Sequence, residues 1–160
     1  MEKEQIEKRI RELQEEYREL VLDSFSAEAA WKIGCRIREK ALQNGYQIAA
    51  SVTLNRKRLF YMAVEETTPI NERWIHRKEN TVYTFFKSSY EMSLYMKLKE
   101  DRIEPRYGLK DGDYAAAGGC VPVIVKNVGF VGTVAVSGLT EEEDHNLVVE
   151  TLKEYQRGLL

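Results

Sequence analysis

Ala115 to Leu139 reads AAAGGCVPVIVKNVGFVGTVAVSGL, and it decides the fold. The stretch holds five of the ten glycines, and Lys126 is its single ionised side chain. Val121–Val125 and Phe130–Val136 are strand-forming runs either side of Asn127-Val128-Gly129, which predicts an antiparallel hairpin. Both runs are almost continuously apolar, so both faces of that hairpin are expected to be covered.

Outward from the hairpin, apolar periodicity alternates between the helical and the extended kind. Thr140 to Glu143 is a capping box that opens a final helix, with Val148, Leu152 and Tyr155 as its buried stripe and Gly158 as its stop. Upstream, Ser26 caps a helix over Ala27–Asn44 that ends at Gly45. Gln47–Leu54 and Leu59–Val64, joined by Asn55-Arg56-Lys57, predict a second hairpin. Ile48, Ala50, Val52 and Leu54 lie on one side of its first strand, and Ala49, Ser51 and Thr53 on the other. Pro69 or Asn71 opens a long helix expected to run to about Arg102, bent at Ser88-Ser89. Ala115–Ala117 reads as a further strand. Residues 2 to 21 form a polar helix with the narrow stripe Ile6, Ile10, Leu13, Tyr17 and Leu20, which must lie on other apolar surface: its own domain is the favoured reading, another subunit the alternative. Hairpins separated by helices predict an α+β domain, an antiparallel sheet of about five strands covered by helices. Residues 1–24 are read as an N-terminal helical extension and residues 25–160 as a single domain.

A chain of 160 residues buries a core without metal or disulfide staples. Its formal net charge of −2 leaves no basic surplus for sequence-independent nucleic-acid binding, although a local basic patch is compatible with it. Cys35 and Cys120 lie in no ligand-like spacing and read as inert side chains of a reducing compartment. The charged N-terminus lacks the apolar core of a signal peptide, and no run is long enough to span a bilayer, so the expected address is cytoplasmic.

Gly118-Gly119-Cys120-Val121-Pro122-Val123, followed by Val131-Gly132-Thr133-Val134-Ala135-Val136-Ser137-Gly138 and an acidic capped helix bearing Asp144, resembles the HbpS/GlcG-like haem-degrading domain family. Lys78 and Thr81 match its K-x-x-T positions. The signature Trp74-Ile75-x-Arg77-Lys78-x-Asn80-Thr81-Val82 is similar to that of an uncharacterised branch. The likeness covers roughly residues 25 to 155. It implies a profilin-like three-layer arrangement, homo-oligomers built from dimers, and haem or corrinoid as ligands of some members. The chain departs from the wider family at the turn Asn55-Arg56-Lys57 and at Trp74, His76 and Arg77.

Trp74, Arg77, Lys78 and Thr81 place an aromatic plate beside two cations at helical spacing, which suits a flat ligand carrying a carboxylate or phosphate. The competing reading is an amphipathic helix with Trp74 in the core and Arg77 and Lys78 reaching to water. Gly118 and Gly119 present backbone amides to a ligand or mark a bend against a packed helix. Ser137 offers a hydroxyl between strand and helix, without the glycine two residues before it that a nucleophile elbow needs. His76 and His145 have no partners at metal spacing and read as surface residues. No nucleophile–base pair stands out, so the sequence leaves the question of enzyme activity open. Two functions follow. One is a cytosolic homo-oligomer binding a small anionic or tetrapyrrole-like molecule between Trp74–Thr81 and Gly118–Ser137. The other is an interaction module that displays its terminal segments.

Overall fold

The computed structural model describes Met1–Leu160. The elements run α1 (Lys3–Glu19), β1 (Val21–Leu22), α2 (Ala27–Asn44), β2 (Ala49–Leu54), β3 (Lys57–Ala63), α3 (Pro69–Phe85), α4 (Ser89–Leu98), α5 (Ile103–Tyr107), β4 (Cys120–Val125), β5 (Gly129–Ser137) and α6 (Glu141–Gln156). The glycine-rich stretch is the β4–β5 hairpin, and β5 lies at the middle of a five-stranded sheet ordered β1-β4-β5-β2-β3. Each neighbouring pair is antiparallel except β1 with β4, where Val21 and Leu22 run parallel to Ile124 and Val125.

Local chemistry sets the helix ends. Ser26 accepts the amide of Ala29 at 3.2 Å, and Gly45 closes α2 in the left-handed region at φ +69. Thr68 and Asn71 form a reciprocal box at the start of α3, with Pro69 in its first turn. Thr140 and Glu143 form the box that starts α6. The β2–β3 turn has both Asn55 and Arg56 at positive φ, as a two-residue hairpin turn of primed type requires.

Two expectations change. The long helix is broken: Phe86 turns left-handed at φ +58, and Ser88 caps a new helix by accepting the amide of Glu91 at 3.1 Å. A hydroxyl in capping position competes with helix continuation, so the chain restarts in a new direction. Ala115–Ala117 is not a strand. Ala115 donates its amide to Arg77 O at 3.2 Å and Thr81 Oγ1 at 3.1 Å, and its carbonyl accepts from Thr81 at 2.9 Å. With those groups engaged by α3, no ladder forms there, and the fifth strand is β1.

Helices α2 and α6 cover one face of the sheet, over the main core of Ile33, Ile37, Val52, Val134, Val136, Val148 and Leu152. Helix α3 covers the other face, over Ala49, Cys120 and Ala135. This is an α+β fold with three layers. Helix α1 lays Ile6 and Leu13 on Tyr90 and Leu94 of α4. No helix is long and apolar enough to cross a membrane.

Candidate functional site

Helical spacing on α3 sends Trp74, Lys78 and Thr81 to neighbouring positions, but their surroundings differ sharply. Lys78 is 4% exposed. Its ammonium donates to Val136 O at 3.0 Å and to Asp144 Oδ2 at 3.2 Å. Asp144 also accepts the amides of Leu139 at 2.9 Å and Gly138 at 3.4 Å. Burial pushes the Asp144 carboxyl above its usual value, against the pull of Lys78 and of those amides. This ion pair ties α3, the end of β5 and the first turn of α6 together. Lys78 therefore does not reach to water, and Trp74, 38% exposed, is not a core anchor.

Arg77 is held differently. Its Nε and Nη2 donate to Asp111 O at 3.1 and 2.7 Å, and Nη2 reaches Tyr114 O at 3.4 Å. The guanidinium carbon stands 4.5 Å from the centroid of the Trp74 ring. Stacking and two main-chain acceptors fix the plane of the fork. Trp74 and Arg77 form one wall of a groove of about 760 Å³, whose other sides come from Met96, Ile103, Arg102 and Ala115–Ala117. Behind Trp74 lies a smaller cleft of about 300 Å³, bounded by Lys78, Gly118, Ser137, Glu141 and Asp144. The structure thus gathers Trp74, Lys78, Gly118 and Ser137 around one cleft and Trp74 with Arg77 around the other. Thr81 and Gly119 sit behind them. Thr81 anchors the Ala115 loop.

The two glycines are needed for close approach. A Cβ on Gly118 would sit 3.1 Å from Glu141 Cβ, with the Glu141 carbonyl oxygen closer still. Gly118 donates its amide to Glu141 Oε1 at 3.1 Å. Gly119 has φ +132, and a Cβ there would lie 2.7 Å from Lys78 Nζ. The Ser137 carbonyl accepts from Asn71 at 3.3 Å. Its hydroxyl is bonded to no histidine or carboxylate, so no nucleophile–base pair is built around it.

Sequence reasoning missed two buried polar groups, Glu79 and His145, and the half-buried Glu141. Glu79 is buried, bonded to Ser51 Oγ and Arg58 Nη2, each at 3.1 Å; burial raises its carboxyl despite Arg58. Its signal was the polar side of β2, where Ser51 and Thr53 alternate with core residues. Glu141 bridges Lys97 at 2.7 Å and Gly118. His145 is the clearest correction. Expected at the surface, it is 1% exposed and bonded through Nε2 to Glu16 at 2.7 Å. Helix α1 covers it, and its own neighbourhood in α6, amid acids, gave no sign of that. His76 is exposed, as expected. Cys35 is half-buried, whereas Cys120 is fully buried, and burial pushes its thiol well up so that it stays protonated. No three His, Cys, Asp or Glu side chains gather to hold a metal ion.

Comparison with known proteins defines the class. Residues 25–153 match the family described as haem degrading protein HbpS-like, and the chain belongs to that family. It is 38% identical over 149 residues to a UPF0303 protein of Rhizobium meliloti (strain 1021), covering 93% of this chain and 91% of the relative. A UPF0303 protein of Zymomonas mobilis is 42% identical over 133 residues, 83% of this chain and 72% of the relative. The crystal structure of the Ybr137w protein superposes with a TM-score of 0.86 at 25% identity, covering 93% of this chain and 88% of that one. A PduOC–heme complex superposes with a TM-score of 0.69 at 13% identity, over 81% of this chain and 94% of that one. The last likeness is one of fold.

Proposed function

We propose that the chain binds a flat, carboxylate-bearing small molecule in the groove beside Trp74 and Arg77. The stacked Trp74–Arg77 pair carries this reading: an open aromatic face and a guanidinium whose plane is fixed in advance, at the wall of a cavity of about 760 Å³. That size lies within the usual range for ligand pockets, roughly 300–1,000 Å³. Met96, Ile103 and Ala115–Ala117 supply apolar wall, and Arg77 supplies the cation for an acidic substituent; Lys97 and Arg102 also line the groove but are paired with Glu141 and Asp111, and Glu100 and Asp101 stand at its edge. The name of the family and the heme held by the PduOC relative support a tetrapyrrole as one such ligand. The volume of the groove, the Trp74 ring and the Arg77 guanidinium support recognition of the ring and a carboxylate of such a molecule. It does not supply an imidazole or thiolate for a central metal, because His76 lines the neighbouring cleft and His145 is buried. The recognition is thus assigned to the ring and its acids.

The test is fluorescence quenching of Trp74 in a Trp31→Phe background. Protoporphyrin IX, haemin, a corrinoid and a small aromatic carboxylate form the panel. Saturable quenching by one of them, weakened about tenfold in Arg77→Ala and partly kept in Arg77→Lys, is expected. No quenching across the panel, or affinity unchanged in Arg77→Ala, overturns the reading.

Assembly into homo-oligomers built from dimers belongs to the same proposal. The unpaired edge of β3 and Trp31, 60% exposed on α2, support it. Light scattering that gives a monomer mass would remove it.

A further inference from the structure

The pole of the molecule at the C-terminal end of α3 joins the β2–β3 turn, the β4–β5 turn and the α3–α4 junction. It leaves large apolar side chains in the open. Phe86 is 55% exposed and Val128, at the hairpin tip, 71%. The Phe86 ring packs on Phe130 at 4.9 Å, and Phe130 packs on Tyr83 at 5.1 Å. Arg56 lies over the outer face of Tyr83 at 4.6 Å. Phe86, Phe130, Tyr83 and Arg56 therefore form one continuous surface, and Val128 stands exposed at the tip of the neighbouring hairpin.

Charge at this pole is one-sided. Arg56 and Lys57 stand on the first turn, Lys126 on the second and Lys87 beside Phe86, and none of the four is in an ion pair. Residues 54–58, 83–88 and 124–131 contain no Asp or Glu, in a chain whose net charge is −2. Two carboxylates come near by connection: Asp23, which follows β1 beside Lys126, and Glu79, which is engaged by Arg58. The backbone holds these residues in tight turns. Five non-glycine residues have positive φ, and Asn55, Arg56, Phe86 and Asn127 are four of them. Asparagine tolerates that region; arginine and phenylalanine rarely adopt it. The hairpin turns account for Asn55, Arg56 and Asn127, and the left-handed end of α3 accounts for Phe86.

We propose that this pole docks an acidic protein segment that carries an apolar anchor residue. An apolar centre of Phe86, Phe130 and Val128 inside a cationic rim has the anatomy of a protein interface, with a complementary partner being acidic. Consecutive stacking of nucleic-acid bases is not favoured. Arg56 covers Tyr83, and Phe130 is flanked by Tyr83 and Phe86, which leaves the single open ring of Phe86 where a strand of bases needs several.

The probe is a fluorescent peptide of Glu and Asp around a central Leu-Phe pair, titrated against the full chain by anisotropy. Its counterpart with Gln and Asn, a single-stranded oligonucleotide and phosphatidylserine vesicles are the comparison arms. The acidic peptide is expected to bind at least about tenfold more tightly than its neutral counterpart. The double variant Lys57→Glu/Lys126→Glu and the single variant Phe86→Ser are each expected to weaken it about tenfold. Both lysines are exposed, so the double variant keeps its melting temperature and reads the surface alone. Absence of binding, equal binding by the variants, or tighter binding of oligonucleotide or vesicles overturns the proposal.

Discussion

The two faces of the sheet are made to different rules. Toward α2 and α6 the strands present Ala50, Val52, Val121, Val123, Val134 and Val136, a surface that excludes every ionised group. Toward α3 they present Ala49, Ser51, Thr53, Thr133, Ala135 and Ser137, and the helix answers with Lys78, Glu79 and Thr81, all buried. The first face is held by removal of apolar area from water. The second is held by directed bonds: Lys78 to Asp144, Glu79 to Ser51 and Arg58, and Thr53 to Thr133 at 2.6 Å. Polar contacts demand particular partners, so this face fixes how α3 sits, and with it where Trp74 and Arg77 stand. The difference teaches that stability and positioning are divided between the two sides of one sheet.

The largest test of that division is Lys78→Ala. It leaves Asp144 buried without its cation and is expected to cost about 3–5 kcal/mol in urea unfolding. The double variant Lys78→Met/Asp144→Asn should recover most of the loss, because both charges go together while an amide oxygen still accepts from Leu139. Ile33→Ala on the opposite face is expected to cost about 2–5 kcal/mol, with no such rescue by a second substitution and no change in the Trp74 environment. Equal behaviour of the two faces would dissolve the distinction.

Gly119→Ala comes next, at about 1–3 kcal/mol, because the added methyl meets the Val136 carbonyl oxygen and Lys78 Nζ and the backbone is held at φ +132. The comparison sharpens if the same variant also shifts Trp74 emission, since Gly119 abuts the ion pair behind that ring.

Smaller effects separate the carboxylates by pH. Glu79 is raised by burial in the folded state, so its share of stability is complete below the ordinary value of 4.5 and is lost as pH rises through the raised one. Relative to Glu79→Gln, the protein therefore gains stability as pH is lowered from neutrality. Glu16 behaves oppositely. Burial would raise it, but the hydrogen bond and charge of His145, with Lys153 and Arg9, hold it below 4.5. Its contribution is present above 4.5 and lost as pH falls through the depressed value, so Glu16→Gln matches the parent only in acid. Thermal melts from pH 7 downward read both signs. The smallest expected change is Trp74→Ala, within about 0.5 kcal/mol on stability for a side chain this open. A large loss there would place Trp74 in the core after all.

Most of the fold was legible from local chemistry. Apolar runs either side of turn residues marked both hairpins, and Ser26, Pro69 and Thr140 marked helix starts, because caps and turns are satisfied by residues within a few positions of one another. Trp74 and Arg77 were legible as a pair for the same reason. What the chain alone could not reveal depends on contacts between distant segments. Val21–Leu22 is too short to read as a strand and becomes one because β4 offers an open edge. His145 looks like a surface residue until α1 arrives over it. Lys78 looks free until α6 brings Asp144 to within 3.2 Å. Local sequence determines how each piece folds; tertiary packing decides which charges lose water and find a partner, since burial is a property of the neighbours a residue acquires.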